Sequence, residues 1–405
     1  MIYSGIDIGS DTIKIVVGEV NDNGINILAS CNTRSVGIKK GIICDKSQAE
    51  ASINLALDEI EKQLGFRIDK AIINVPFYDV LVNAYNGESY PEGVITGEDI
   101  ITCLKSSVST IDPFYEVVTV SPIDFLIDGS KKVLNPIGYE GNKLECRMLI
   151  STIPKENILP YLELLEKCHV EVIDLSFGPI NDFENIKEHE SYNNCSLALV
   201  DIGKDKTEVA IFNKGLMIKG EVLPLGSRLV DQDIRYIYKL DKTTARYIKE
   251  NLSFATSQYA DDKETFEYTT MDGEKIVINQ TEISQVVEAR LEEILKNVKK
   301  SLNSLTNREI SYIIVTGGIS SLPGFDFLIN SVYGDIASSI SLNTMGVRNN
   351  IYTSCVGMLK YYYDKLKLRG IDYTMYQDIP AMFQDKKNIL HEKLIDDMKK
   401  YLENN

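Results

Sequence analysis

Asp7-Ile8-Gly9-Ser10-Asp11-Thr12-Ile13-Lys14 decides how this chain folds, because Asp201-Ile202-Gly203-Lys204-Asp205-Lys206-Thr207 repeats its pattern about 190 residues later. Each stretch sets an aspartate at the end of a β-rich run, then a glycine, then hydroxyl residues leading into a second run. The first joins Ile2 to Ile8 with Ile13 to Val20, and the second joins Ser196 to Ile202 with Thr207 to Phe212. In such a turn the glycine lets the backbone approach a phosphate, and the exposed N–H groups cradle its oxygens. The aspartate can hold hydrated Mg²⁺. One Asp-x-Gly-Ser turn by itself reads as a plain β-hairpin. The pair differs because each heads a meander, completed by Ile25 to Cys31 in the first case and Leu216 to Leu223 in the second. Two such units facing each other across a cleft predict an α/β nucleotide-binding fold.

Outward from the first turn, Ser47 reads as the N-cap of a helix with Glu50 three residues on. Ile53, Leu57, Ile60 and Leu64 form its apolar stripe and Gly65 its stop. Ala71 to Val75 is a buried-type strand. Asn83 to Glu92 reads as a loop-like entrance to an inserted α+β module. Within that module Thr96 to Val108 and Ile158 to Cys168 are helical, while Val117 to Ile127, Leu144 to Thr152 and Val170 to Leu175 are strands. After the second meander come helices near Leu229 to Tyr238, Thr243 to Phe254 and Ile283 to Leu302, interrupted by a polar hairpin at Asp272-Gly273. A third motif follows, Val315-Thr316-Gly317-Gly318-Ile319-Ser320-Ser321-Leu322-Pro323-Gly324. Its paired glycines allow a flat base or ribose to pack on the backbone, and Pro323 suits the first turn of a helix. Tyr352 to Tyr363 reads as the last helix before the tail.

Composition narrows the chemistry. A chain of 405 residues, 44% apolar and 25% charged, suits a two-lobed globular protein. No apolar run of about 18 residues and no basic-then-apolar leader occurs, so a cytoplasmic protein is expected. The seven cysteines are scattered and read as reduced. Three separated histidines argue against a zinc site and against Ser-His-Asp or Cys-His hydrolysis. A net charge of −16 makes nucleic acid an unsuitable partner.

The three motifs, in this order, resemble the two phosphate motifs and the adenosine motif of the actin, sugar-kinase and heat-shock chaperone superfamily. Further stretches are similar to the FtsA family of cell-division proteins. They are Ser35-Val36-Gly37-Ile38-Lys39-Lys40-Gly41, Asn135-Pro136-Ile137-Gly138, Leu225-Gly226-Ser227 with Asp233-Ile234, and Ala245 to Lys249. The resemblance spans about residues 1–363. It implies an actin-like two-lobed fold with ribonuclease-H-like halves and an inserted α+β subdomain IC in place of the usual IB. Subdomain IA would comprise 1–82, 173–195 and 350–368, and IC 83–172. IIA would comprise 196–226 and 310–349, and IIB 227–309, followed by a linker at 369–385 and a C-terminal amphipathic helix at 386–405.

The same resemblance implies ATP and Mg²⁺ as cofactors. Asp7, Gly9, Ser10, Asp11, Thr12, Gly203, Lys204 and Thr207 would hold phosphates. Lys14 either joins them or stays solvated. Asp201, with Asp7, would hold Mg²⁺ through water, and Gly226, Lys249, Glu250, Gly317, Gly318 and Ile319 would seat the nucleoside. Implied partners are the FtsZ C-terminal tail at 227–309, further copies in a filament, and the inner face of the cell membrane at the division site. Ile389, Leu390, Leu394, Ile395, Met398, Tyr401 and Leu402 make one apolar stripe in the tail, which suits either lipid or packing on protein. Several residues depart from the family pattern. Lys204 and Asp205 replace glycines, Gly178-Pro179 falls where many superfamily members have Glu-Pro, and Arg246 replaces a glutamate. Lacking a water-positioning carboxylate, the chain is expected to bind ATP but hydrolyse it weakly or not at all. The alternatives are a PilM-like scaffold of a pilus or secretion machine and a sugar or acetate kinase. No segment supplies the kinase's catalytic carboxylate, and the tail is too short for a chaperone's substrate-binding domain.

Overall fold

A computed structural model describes residues 1–376 except Met271, Ser341, Asn343 and Arg348. The C-terminal helix expected at 386–405 and the linker from residue 377 on lie outside the described residues. The chain opens with β1 (Ile2–Ile8), β2 (Thr12–Asn21) and β3 (Gly24–Arg34), an antiparallel meander. Helix α1 (Lys46–Leu64) returns the chain to β4 (Lys70–Val75), which runs parallel to β1. Asp45, rather than Ser47, caps α1, with its carboxylate accepting from the Gln48 N–H at 3.0 Å. An ionised acceptor at a helix N-terminus outcompetes a hydroxyl two residues on.

The insertion follows as β5 (Leu81–Ser89), α2 (Gly97–Val108), β6 (Tyr115–Ile127), β7 (Lys131–Val133) and β8 (Leu144–Pro154). Its strands pair antiparallel in the order β7-β6-β8-β5. Ile100, Cys103 and Leu104 of α2 close one face over Phe125, Cys146 and Met148. Strand β5 occupies most of the stretch expected to be a loop. It is an edge strand with most side chains exposed, so it lacks the apolar alternation that betrays a strand. Helix α3 (Lys155–Lys167) then feeds β9 (Glu171–Phe177), parallel to β4, and completes a sheet in the order β9-β4-β1-β2-β3.

Short helix α4 (Gly178–Glu184), buried at every residue, carries the chain into the second half. There β10 (Ser196–Ile202), β11 (Thr207–Asn213) and β12 (Leu216–Leu223) repeat the meander. Next come α5 (Arg228–Ile237), α6 (Lys242–Asn251), the hairpin β13 (Thr265–Thr269) and β14 (Lys275–Asn279), and the long helix α7 (Gln280–Leu305). Strands β15 (Tyr312–Thr316) and β16 (Ala337–Ser339), with α8 (Phe325–Tyr333) between them, run parallel to β10 and give the order β12-β11-β10-β15-β16. Each half therefore holds three antiparallel strands followed by two parallel ones, with the same connectivity. This is the duplicated, two-lobed α/β architecture expected from the sequence.

The final helix α9 (Thr353–Leu368) lies across α4 and β1, and its Val356, Met358, Leu359 and Tyr362 share a core with Tyr3 and Ile72. Residues 373–376, expected in a linker, are docked on the first sheet. The Ile2 N–H donates to Thr374 Oγ1 at 2.8 Å, Met375 N–H donates to the Ile2 carbonyl at 3.0 Å, and the Tyr376 hydroxyl donates to the Lys70 carbonyl at 2.7 Å. Among the described residues no helix is long and apolar enough to cross a membrane, and all seven cysteines are free.

The α9–α4 crossing admits no side chain at Gly357, where an added Cβ would stand 1.6 Å from the Asn181 carbonyl oxygen. Gly357→Ala is expected to destabilise the protein by about 3 kcal/mol or more, read as the shift of a urea unfolding midpoint. A midpoint within experimental error of the wild type would contradict this packing.

Candidate functional site

The two hairpin turns are built alike. In the first, Gly9 N–H donates to the Thr12 carbonyl at 3.1 Å; in the second, Gly203 N–H donates to the Lys206 carbonyl at 3.0 Å. A Cβ on Gly9 or Gly203 would approach those same carbonyl oxygens to 2.8 Å and 3.0 Å, so a side chain would force the first turn to shift and would crowd the second. The registers match as well, with Asp7 opposite Lys14 and Asp201 opposite Glu208. The turns face each other across two adjoining cavities between the lobes, of about 450 Å³ and 130 Å³.

Asp7, Asp11, Thr12, Lys14, Asp201, Gly203 and Lys204 line both cavities. Gly9 and Ser10 line the smaller one, and Ser10 Oγ also accepts from Gly41 N–H at 2.9 Å. Lys249, Glu250, Gly317, Gly318 and Ile319 line the far side of the larger one, beside Asn349, Asn350 and Ile351. Gly317 has a φ of 101° and lies so close to the second turn that a Cβ would be 2.4 Å from the Ile202 carbonyl. The adenosine motif and the second phosphate turn are thus in backbone contact. Lys249 is buried and pairs with Asp231 at 2.6 Å.

Two expected residues stand elsewhere. Thr207 is fully buried and donates to the Leu225 carbonyl at 2.7 Å, away from the cavities. Strand parity is the cause. Side chains alternate along β11, so Glu208, the partner of Asp201, faces the cleft and Thr207 faces inward. Gly226 lines neither cavity. It supports the second turn from behind, where a Cβ would be 2.4 Å from the Lys204 carbonyl. Asp205 lines the smaller cavity, with its carboxylate engaged by a salt bridge to Arg228 and by Lys40 N–H at 3.2 Å.

Lys206 and Glu208 were not foreseen as site residues, and neither were Asn74, Asp182, Asp231 and Ser354. All six line the cavities. Only Glu208 carried a signal in sequence, through that same alternation. Lys206 and Glu208 pair at 2.6 Å. Glu208 also fills the space beside Gly178, whose added Cβ would be 2.9 Å from Glu208 Oε2.

The like-built turns differ in charge. Burial works against ionising Asp7, but Lys14 at 2.6 Å and the Asn74 amide at 3.1 Å hold its carboxyl below the usual range. Lys14 is held above its usual value by the same pairing, against the opposing effect of burial. Asp201 has the opposite surroundings. Burial and the carboxylate of Glu208 across the ladder push it up to about 7, with Lys14 opposing. Asp182, buried with Ser354 donating to its Oδ1 at 2.7 Å, is raised well above the carboxylate range by burial and by Asp201. Its Oδ2 is buried without a hydrogen-bond partner.

A carboxyl that binds its proton more tightly in the folded state contributes stability at low pH and loses it as pH rises toward its folded pKa. Asp201→Asn should therefore raise stability at pH 8 by of order 2 kcal/mol relative to the wild type. The gain should shrink as pH falls through about 7 and vanish near pH 4. Paired urea titrations across that range check it, and a gain independent of pH would contradict the charge assignment.

The family model described as "Cell division protein FtsA" matches residues 198–357, and that of the "SHS2 domain inserted in FTSA" matches residues 82–152. The cell-division protein FtsA of Bacillus subtilis (strain 168) is 29% identical over 375 residues, covering 91% of this chain and 85% of that protein. Among solved structures, the PilM-PilN type IV pilus biogenesis complex is similar with a TM-score of 0.61 at 14% identity, over 88% of this chain and 98% of that one. MreB5 of Spiroplasma citri bound to ADP is similar with a TM-score of 0.56 at 10% identity, over 91% and 98%. At such identities these two structures speak to the fold alone. The inserted domain and the second lobe, by contrast, both match FtsA models, and the Bacillus protein aligns along almost the whole length. The chain belongs to the FtsA family of actin-like cell-division proteins.

Proposed function

We propose that this protein is an ATP-binding adaptor that polymerises head to tail and links FtsZ to the inner face of the cell membrane at the division site. The observation that carries the nucleotide reading is the pair of like-built turns facing one cavity, with Gly317 and Gly318 on its far wall. MreB5, which shares the fold, is bound to ADP in its solved structure. Backbone N–H groups at both turns suit phosphate oxygens, and the Lys249–Asp231 pair stiffens the nucleoside side.

Of the two aspartates expected to hold Mg²⁺ through water, Asp201 fits better. It has no salt bridge among the described residues, and its carboxyl is in need of a cation. Both oxygens of Asp7 are already bonded, to Lys14 and Asn74. A bound Mg²⁺ would offset phosphate charge in a cleft that is rich in carboxylates.

Slow hydrolysis follows from Gly178. No carboxylate stands at that position, and an added Cβ would lie 2.9 Å from the terminal oxygen of Glu208. Calorimetry should show Mg-ATP binding, with turnover no faster than a few per hour. Gly178→Glu should speed it, because the added Cβ meets only the movable carboxylate end of Glu208 and the new side chain supplies the missing carboxylate. No binding of ATP would remove the nucleotide half of the proposal, and turnover above one per second would remove the claim of slow chemistry.

The FtsZ tail is assigned to a groove of about 780 Å³ between α5, β14 and α7. Ile237, Tyr238, Tyr268 and Val277 give it apolar walls, and its rim is charged, with Arg290 paired to Asp233 and Glu293 and with Glu274 and Glu282 beside Lys239. Such a groove suits an extended peptide held chiefly by apolar side chains. The membrane contact is assigned to residues 386–405, and filament formation rests on the family. The likeness to PilM concerns the fold, and the FtsA match over the inserted domain favours division over a pilus scaffold. Co-flotation with anionic vesicles should carry FtsZ upward only with the full chain. A chain ending at Asp385 should leave FtsZ at the bottom of the gradient, and Val277→Lys should weaken its capture about tenfold. Equal flotation by all three proteins would defeat both assignments.

A further inference from the structure

Two cations of the second lobe stand where the family pattern has a glycine and a glutamate, namely Lys204 on the β10–β11 turn and Arg246 on α6. Both converge on one carboxylate of the first lobe. Arg246 takes Asp11 with a two-pronged grip, Nη1 to Oδ1 at 3.0 Å and Nη2 to Oδ2 at 2.9 Å. The Lys204 ammonium pairs with the same carboxylate. A guanidinium fork suits carboxylate and phosphate alike. Asp11, Lys204 and Arg246 all line the larger cavity, and Asp11 and Lys204 line the smaller one too. The carboxylate thus sits between the two phosphate turns.

The other cations around the cleft are committed within their own lobes. Lys14 is with Asp7, Lys206 with Glu208, Arg228 with Asp205 and Lys249 with Asp231. Lys204 and Arg246 are the pair that also reaches a carboxylate across the cleft, Arg246 while its Nε donates to Glu250 of its own helix at 2.7 Å. Burial, with Arg246 and Arg228 nearby, pushes the Lys204 ammonium down to about 8.

We infer that Lys204 and Arg246 are phosphate-binding residues of this cleft and that Asp11 is an internal substitute for the phosphate, which a nucleoside polyphosphate must displace. This rests on the nucleotide reading above and adds to it the groups that grip the phosphate chain. Asp11 is then a competitor rather than a phosphate ligand. With the cleft otherwise free, its carboxylate ties the lobes together. An entering phosphate takes over both cations and keeps the tie through the nucleotide instead.

Calorimetry on the full chain tests this with Mg-ATP and, separately, inorganic tripolyphosphate. The proteins compared are wild type, Asp11→Asn, Arg246→Ala and the double variant. The ion pair is partly exposed, so its removal should change affinity modestly. Asp11→Asn should bind both ligands about fivefold tighter and Arg246→Ala about fivefold weaker. In the double variant the gain from Asp11→Asn should shrink below about twofold, because its beneficiary is gone. Tripolyphosphate should give the same ranking, since the recognition is of phosphate.

If the wild type binds Mg-ATP while Asp11→Asn binds equally or more weakly with an unchanged melting temperature, the inference is overturned and the nucleotide reading survives. If Asp11→Asn melts early, Arg246→Ala decides, and an unchanged affinity there overturns the inference. A wild type that binds no Mg-ATP overturns both.

Discussion

Antiparallel pairing places Asp7 opposite Lys14 and Asp201 opposite Glu208, and the chemistry of the cleft grows from that shared register. The backbone of the two turns is the same, down to the bridging hydrogen bond from the glycine N–H that leaves little room for a side chain on Gly9 or Gly203. The cross-strand partners differ in sign. Opposite charges facing each other on a ladder stabilise it, and like charges destabilise it. The first hairpin therefore satisfies its aspartate internally. The second leaves Asp201 strained toward its neutral form and draws Lys206 back from the turn to neutralise Glu208. A duplicated backbone thus yields one committed aspartate and one available one.

This division of labour explains why the cleft holds so many charges without being a general anion trap. Most cations are matched by a carboxylate of their own lobe, and the matches that cross between lobes are few. Asp11 meets Lys204 and Arg246, and Asp205 receives the Lys40 N–H. Those crossings lie on the turns themselves, so the relative placement of the lobes and the occupancy of the cleft are read by the same atoms. Beside Gly178 the Glu208 carboxylate lies close to the backbone and is held by Lys206.

Much of the fold was legible because its signals are local. A glycine between an aspartate and a hydroxyl marks a hairpin whatever surrounds it, and two copies betray the duplication. Where sequence reasoning went astray, the deciding contact was distant or the pattern was absent. Strand β5 lies at a sheet edge with little apolar alternation to show. Helix α4 is buried on all sides and so has no polar face to set a period. Thr207 has the residue type of a phosphate ligand, but strand parity puts its neighbour Glu208 on the cleft side. Asp182, Asp231 and Ser354 reach the cavities from α4, α5 and α9, and no spacing along the chain brings those three helices together. Arg246 was noticed as a departure, but its partner Asp11 lies 235 residues away.

The docking of residues 373–376 beside β1 has a mechanical consequence. The chain leaves the first lobe through hydrogen bonds to Ile2 and Lys70, on the two strands whose far ends approach the cleft. Tension applied beyond that point enters the sheet that carries Asp7 and the first turn before it can reach the second lobe. A pull on the chain there would act on the first lobe and would load the contacts that join it to the second, the Asp11 pairs among them.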